Sequence, residues 1–161
     1  TTSDGVELDI AGHPLPGLSV LAGYSYNNMR YSKTPDTKGS YVEGERLVGT
    51  PNHTANASVF YTLQTSTLKG LKLGVSAYYM GERNAGWNNT KDQTQTYDRL
   101  IPVSAFTTLD LSAGYTYKQF SILAKVSNIT NTLSYMVHEN YSVNPIAPTA
   151  FVATLAYKFK Y

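Results

Sequence analysis

The sequence predicts an all-β protein: an antiparallel transmembrane β-barrel segment of about seven strands, with alternating short turns and long loops. Three observations predict it. Seven separate stretches alternate apolar with small or polar residues at the period of two that belongs to a strand. The connections between them alternate strictly in length. Of the 14 tyrosines, against a single tryptophan, Tyr24, Tyr26, Tyr61, Tyr79, Tyr115, Tyr117, Tyr157 and Tyr161 lie on the apolar faces near strand ends. There a ring with a polar tip suits a membrane–water boundary.

The strands justify themselves one by one. The first, short, covers about Val6 to Gly12, with Val6, Leu8 and Ile10 opposing Glu7 and Asp9. The second runs from about Leu18 to Tyr31, and its Leu18, Val20, Ala22, Tyr24 and Tyr26 oppose Ser19, Gly23, Ser25 and Asn27. The third, about Asn52 to Leu63, sets Ala55, Ala57, Val59, Tyr61 and Leu63 against Thr54, Asn56, Ser58 and Thr62, with Phe60 breaking the pattern. The fourth, Leu71 to about Arg83, places Leu71, Leu73, Val75, Ala77 and Tyr79 opposite Lys72, Gly74, Ser76 and Tyr78. In the fifth, Leu109, Leu111, Ala113, Tyr115 and Tyr117 oppose Thr108, Asp110, Ser112, Gly114 and Thr116. The sixth, Phe120 to Asn128, has Phe120, Ile122, Ala124 and Val126 against Ser121, Lys125 and Ser127. The seventh is Phe151 to Tyr161, where every odd position is aromatic or apolar.

Composition sets the outer bounds. Only 15% of residues are charged, below the roughly 25% usual for soluble domains. A net charge of +2 is too small to argue for a nucleic-acid partner. The absence of cysteine excludes disulfides and thiolate metal sites. No apolar run is long enough for a membrane helix, which leaves a barrel open because its strands escape hydropathy scans. The start at Thr1-Thr2-Ser3 is expected to mark a processed product or a piece of something longer.

Mid-strand charges such as Asp110, Lys125, Glu7 and Asp9 occupy the polar face. A soluble barrel would turn that face to bulk water and could bind a hydrophobic molecule inside, whereas a membrane barrel turns it to a wet lumen. Loop lengths favour the membrane. The links His13 to Gly17, Gln64 to Gly70 and Lys118-Gln119 are short, and Ser32 to Thr50, Asn84 to Ala105 and Ile129 to Ala150 are long. Outer-membrane barrels have short periplasmic turns and long extracellular loops. This orientation puts the C-terminus in the periplasm and calls for an extracellular loop before Thr1. Bacterial single-chain barrels have even strand counts, so seven strands read as the last third or so of a larger barrel. The rival is a small eight-stranded barrel with a structural or adhesive role.

Three segments carry a resemblance. Gly5-Val6-Glu7-Leu8-Asp9-Ile10-Ala11-Gly12-His13-Pro14-Leu15-Pro16-Gly17-Leu18, continuing into Ala22-Gly23-Tyr24-Ser25-Tyr26, is similar to the G-x-E-x-[DE]-x-x-G-x-P-x-x-G-[WL] stretch of TonB-dependent outer-membrane receptors. Leu47-Val48-Gly49-Thr50-Pro51-Asn52-His53-Thr54-Ala55 resembles their P-x-H-T start of the next strand, and Val126-Ser127-Asn128-Ile129-Thr130-Asn131-Thr132-Leu133-Ser134-Tyr135 their V-x-N-[LIV]-[TF]-[ND]-x-x-Y element. Pro148-Thr149-Ala150 stands where the family has G-x-P-R, without the arginine. The terminal aromatic matches the signal read by the barrel-assembly machinery. The resemblance is closest to ferric-siderophore receptors of Gram-negative bacteria. It implies a 22-stranded outer-membrane barrel closed by an N-terminal plug, with residues 1–161 as strands sixteen to twenty-two. It also implies outer-membrane lipid as surroundings and partnership with the TonB complex through the absent N-terminal part. A receptor for a non-iron ligand is the alternative within the family.

No catalytic constellation is visible: the polar faces hold no Ser–His or paired-carboxylate grouping, so an enzyme is not expected. His13, His53 and His138 lack ligand spacing, so no metal site is expected either. Iron would arrive already chelated in a siderophore, and no other cofactor is implied. The long loops supply the candidates for contact with such a ligand: Arg83, Trp87, Tyr97, Arg99, Tyr135 and Tyr141. Aromatic area and guanidinium or hydroxyl donors suit a rigid, oxygen-rich, often anionic chelate. The same residues would serve equally as interfacial anchors or loop packing.

Overall fold

A computed structural model describes residues 1–33, 42–65, 67–87, 100–138 and 142–159. Among these residues every regular element is a strand: β1 (Thr2–Leu15), β2 (Leu18–Arg30), β3 (His53–Thr62), β4 (Lys72–Met80), β5 (Arg83–Trp87), β6 (Leu100–Val103), β7 (Phe106–Tyr117), β8 (Phe120–Ser127), β9 (Tyr135–His138), β10 (Ser142–Pro145) and β11 (Ala150–Tyr157). Seven of them build one sheet in the order β1-β2-β3-β4-β7-β8-β11, every pair antiparallel. The seven strands expected from alternation are these. β5–β6 and β9–β10 are separate two-stranded hairpins inside the second and third long connections.

Register carries the alternation across the whole sheet. Val20, Val59, Val75, Leu111, Val126 and Phe151 lie directly opposite one another on six consecutive strands. The next row on the same face is Leu18, Tyr61, Leu73, Ala113, Ala124 and Ala153. Between those rows, on the other face, runs Ser19, Phe60, Gly74, Ser112, Lys125 and Val152. A slip by one residue anywhere would break all three rows at once, so the apolar face fixes the pairing.

Among the described residues nothing covers that face. Val75 is 50% exposed and Leu155 71%, and the buried hydrophobic residues among those described are Ala85 and Phe106. The accessible surface is 11306 Å², against about 7,900 Å² expected for a folded monomer of this mass. The sheet is therefore a wall without a core of its own. Two aromatic belts border its apolar band. Tyr24, Tyr26 and Tyr79 mark the long-loop end, whereas Tyr61, Tyr115, Tyr117 and Tyr157 mark the short-turn end. On β3 the belts are His53 and Tyr61, a separation of about 26 Å along the strand at about 3.3 Å per residue. A tilt of about 40° reduces that to about 20 Å along a membrane normal, in line with the apolar band of a barrel. Near the short turns the rings touch: Phe120 and Tyr157 are 4.8 Å apart, and Tyr157 meets Phe159 edge-on at 4.9 Å.

Four sequence expectations need correction or refinement. The first strand is long rather than short, because pairing continues past the apolar stretch to Thr2 opposite Arg30. Its far end shifts register between Gly12 and Leu15, around Pro14, which has no N–H for the ladder. The fourth strand stops at Met80, not Arg83. Gly81 N–H donates to the His53 carbonyl at 2.8 Å, and a Cβ at position 81 would come within 2.8 Å of that oxygen. The four hairpin strands β5, β6, β9 and β10 were not anticipated; β6 and β10 contain Pro102 and Pro145, which argue against a strand when read as sequence. Phe60 lies on the polar face, where its ring covers Gly74: a Cβ there would approach Phe60 Cδ1 and Ser112 Oγ to 2.5 Å. Tyr161 falls outside the described residues.

Candidate ligand-facing site at the long-loop end

All buried side chains among the described residues cluster at one end of the sheet. Arg83, Ala85, Phe106, Asn128 and Ser134 are each less than a tenth exposed, and all lie in the second and third long connections or at the strand ends that border them. The sheet faces are open and the loop end is packed. Three connections from three different hairpins meet there.

The first connection returns along β2 through a bridge between Arg30 and Arg46. Arg46 Nη2 donates to the Thr50 carbonyl at 2.7 Å, and Thr50 Oγ1 donates to the Leu47 carbonyl at 2.7 Å. Burial, with Arg30 beside it, pulls the Arg46 guanidinium below its ordinary pKa. Gly49, at φ 77°, then aims its N–H at the Asn84 carbonyl, 2.8 Å away in β5. The second connection opens with the β5–β6 hairpin, whose register shifts between Asn84 and Trp87 where Gly86 takes φ 154°.

Arg83 is the centre of this packing. It is 2% exposed. Its Nη2 donates to the Tyr135 carbonyl at the start of β9, and Nη1 makes longer contacts with the Gly81 and Ser104 carbonyls at 3.4 and 3.5 Å. Its Cζ lies 5.3 Å from the centre of the Phe106 ring. Burial lowers the guanidinium pKa, with Tyr78 opposing, yet an arginine keeps its charge at neutral pH. Carbonyl dipoles and the ring face balance that charge.

The third connection is anchored by Asn128. Its backbone takes φ 48°, a left-handed conformation that asparagine tolerates better than most residues. Its Nδ2 donates to the Thr132 and Ala147 carbonyls, both at 3.0 Å, while its Oδ1 accepts from Thr132 N–H at 2.9 Å. The Asn128 N–H donates to Asp110 Oδ1 at 2.9 Å, and Thr149 Oγ1 donates to the Asn128 carbonyl at 2.6 Å. Asn131, also left-handed at φ 50°, accepts from Thr149 N–H at 3.2 Å. One asparagine thus ties the end of β8 to β7 and to the start of β11. Asp110 also pairs with Lys125 at 2.8 Å on the polar face. That ion pair is half open to solvent, so it contributes at most about 1 kcal/mol.

Residues 1–129 match the family model described as TonB dependent receptor-like, beta-barrel. The chain belongs to that family. It is 27% identical over 146 residues to the ferrioxamine B receptor of Salmonella typhimurium strain LT2, an alignment covering 83% of this chain and 19% of the relative. An uncharacterized TonB-dependent receptor of Haemophilus influenzae is 26% identical over 129 residues, covering 80% of this chain and 36% of that protein. The fold is similar to that of the ferric preacinetobactin receptor of Acinetobacter baumannii, with a TM-score of 0.79 and 20% identity over 98% of this chain and 22% of that one. The ferripyoverdine receptor of Pseudomonas aeruginosa gives 0.74 and 21% identity over 98% of this chain and 19% of that one. This chain therefore spans about a fifth of the Salmonella relative's length.

Within that family barrel, two of the six candidate residues come together: Arg83 and Tyr135, joined through the Tyr135 carbonyl. Arg83 faces carbonyls rather than open space, whereas Tyr135 is 42% exposed. Trp87 closes the β5 side of its hairpin opposite Leu100. Tyr97, Arg99 and Tyr141 lie outside the described residues. Sequence reading did not assign a role to Asn128 or Phe106. For Asn128 the signal was present in the V-x-N element, whose physical content is a left-handed asparagine with a fully used amide. His53, in the P-x-H-T element, lies among the belt tyrosines, with Nδ1 2.8 Å from Tyr24 Oη and its ring 5.1 Å from that of Tyr26.

Proposed function

We propose that this chain forms the last seven strands and the extracellular loops of a TonB-dependent outer-membrane receptor that takes up a ferric siderophore. The observation that carries the proposal is the asymmetry of the sheet. One face is a continuous apolar band bordered by aromatic belts, and among the described residues the side chains less than a tenth exposed sit at the end bearing the three long connections. A lipid-facing wall with a packed, aromatic-rich rim at one end suits capture of a ligand from outside and passage along the polar face. The match to the ferrioxamine B receptor supports a siderophore as the ligand.

On this reading the short turns and the C-terminus are periplasmic, and the long-loop end is extracellular. β1 and β11 pair with further strands of a 22-stranded barrel. An N-terminal plug couples to the TonB complex, and the barrel-assembly machinery reads the terminal strand. The iron arrives chelated, so the ligand contacts are aromatic and hydrogen-bonding groups: Trp87, Tyr97, Arg99, Tyr135 and Tyr141, with Arg83 holding the loops that present them. The family is one of transport receptors, and no chemical step is asked of the protein.

The test uses the complete gene in a Gram-negative host deprived of its own siderophore receptors. Uptake of radioactive iron is measured with ferrioxamine B and with representative catecholate and mixed siderophores, with and without TonB. Uptake of one of these that stops without TonB is the expected result. Accumulation of none of them would overturn the iron reading in favour of another ligand.

A further inference from the structure

Arg83 combines features that a loop-packing residue does not need together. It is a charged side chain, 2% exposed, and among the described residues its hydrogen-bond acceptors are backbone carbonyls rather than carboxylates. Those carbonyls belong to three separate places: Gly81 at the end of β4, Ser104 between β6 and β7, and Tyr135 at the start of β9. The residue after it, Asn84, offers its own carbonyl to Gly49 of the first long connection. Tyr135 lies 52 positions further along the chain, and β9 touches β5 without joining its sheet. Among the described residues, the hydrogen bond that joins the two hairpins comes from one planar guanidinium whose several donors point in fixed directions.

We propose that Arg83 is a positioning residue for ligand capture: it locks the β9–β10 hairpin onto the β5–β6 hairpin so that the two present one surface. This rests on the proposal that the long-loop end is where the receptor meets its ligand. Without the fork, the Tyr135 carbonyl loses its partner and the hairpins move independently. The ligand-facing residues then have to be ordered at the moment of binding, which weakens affinity without removing a direct contact. A lysine keeps the charge but not the fork, so it can hold only part of the junction.

The experiment uses the full-length receptor with spin labels at Ile101 on β6 and Val143 on β10, which are 40% and 59% exposed. Distances between the labels are measured for the wild type, Arg83→Gln and Arg83→Lys, each first shown to migrate as a folded barrel on an unheated gel. The expected result is a narrow distribution in the wild type, at least twofold broader in Arg83→Gln and intermediate in Arg83→Lys. Affinity for ferrioxamine B is expected to weaken at least tenfold in Arg83→Gln, with Arg83→Lys recovering part of the loss. An unchanged distance width in a folded Arg83→Gln barrel would overturn the proposal. Should Arg83→Gln fail to assemble, a wild-type width in Arg83→Lys would overturn it instead. A wild-type receptor that ignores ferrioxamine B speaks against that ligand alone, and the distance widths still decide the role of Arg83.

Discussion

Asn128 shows how much of this structure hangs on single side chains at the loop end. Replacing it with alanine leaves the Thr132 N–H and two carbonyls without partners and keeps a left-handed backbone that alanine resists. A loss of about 2–4 kcal/mol is expected, and Asn128→Gly should cost about 1 kcal/mol less because glycine accepts that backbone. Urea unfolding of the full receptor in detergent measures both, and equal costs would remove backbone strain from the account. At the rim, Trp87→Ala and Tyr135→Ala are expected to weaken binding of the transported siderophore by about tenfold or more, as loss of an aromatic anchor does. Unchanged affinity at both positions would take them out of the site.

At the scale of the strands, the two faces differ in kind. The row of Val59, Val75 and Leu111 is apolar throughout, whereas neighbouring Ser58 and Ser76 hydrogen-bond each other at 2.9 Å on the opposite face. A tryptophan introduced at Val75 should be quenched strongly by brominated lipid, and one at Ser76 weakly. The reverse order would mean that the sheet is inside out. Alternation made these strands legible as sequence, because register turns a one-dimensional pattern into a two-dimensional face. The hairpins β5–β6 and β9–β10 were not legible. They are four or five residues long, two of their strands contain proline, and contacts with distant parts of the chain hold them in place.

For the molecule as a whole, the excess accessible surface over a compact monomer is about 3,400 Å². Much of it lies on the apolar face and along β1, which is exposed over its whole length. The 161-residue chain refolded alone is therefore expected to aggregate in detergent-free buffer, since open edges and an apolar wall both invite association. Sedimentation analysis checks this, and a monodisperse β-rich monomer would contradict the membrane-facing assignment. The six ligand candidates were chosen by residue type and loop position, which do not reveal side-chain direction. Arg83 was selected as a guanidinium donor at a long-loop flank, and the fold surrounds it with the carbonyls of nearby Gly81 and of Ser104 and Tyr135 from further along the chain.

The sequence by itself determined the class of the protein. Period-two alternation, tyrosine placement and the short–long rhythm of connections are local properties, and they specify seven antiparallel strands with one apolar face before any folding is considered. The family motifs added which barrel those strands resemble. Only the tertiary structure decided what the loop end is built around. The burial of Arg83, the amide knot of Asn128 and the Gly49–Asn84 link depend on backbone groups brought together from distant positions. A backbone carbonyl carries no signature in the residue that bears it, so these contacts leave no pattern in the order of side chains.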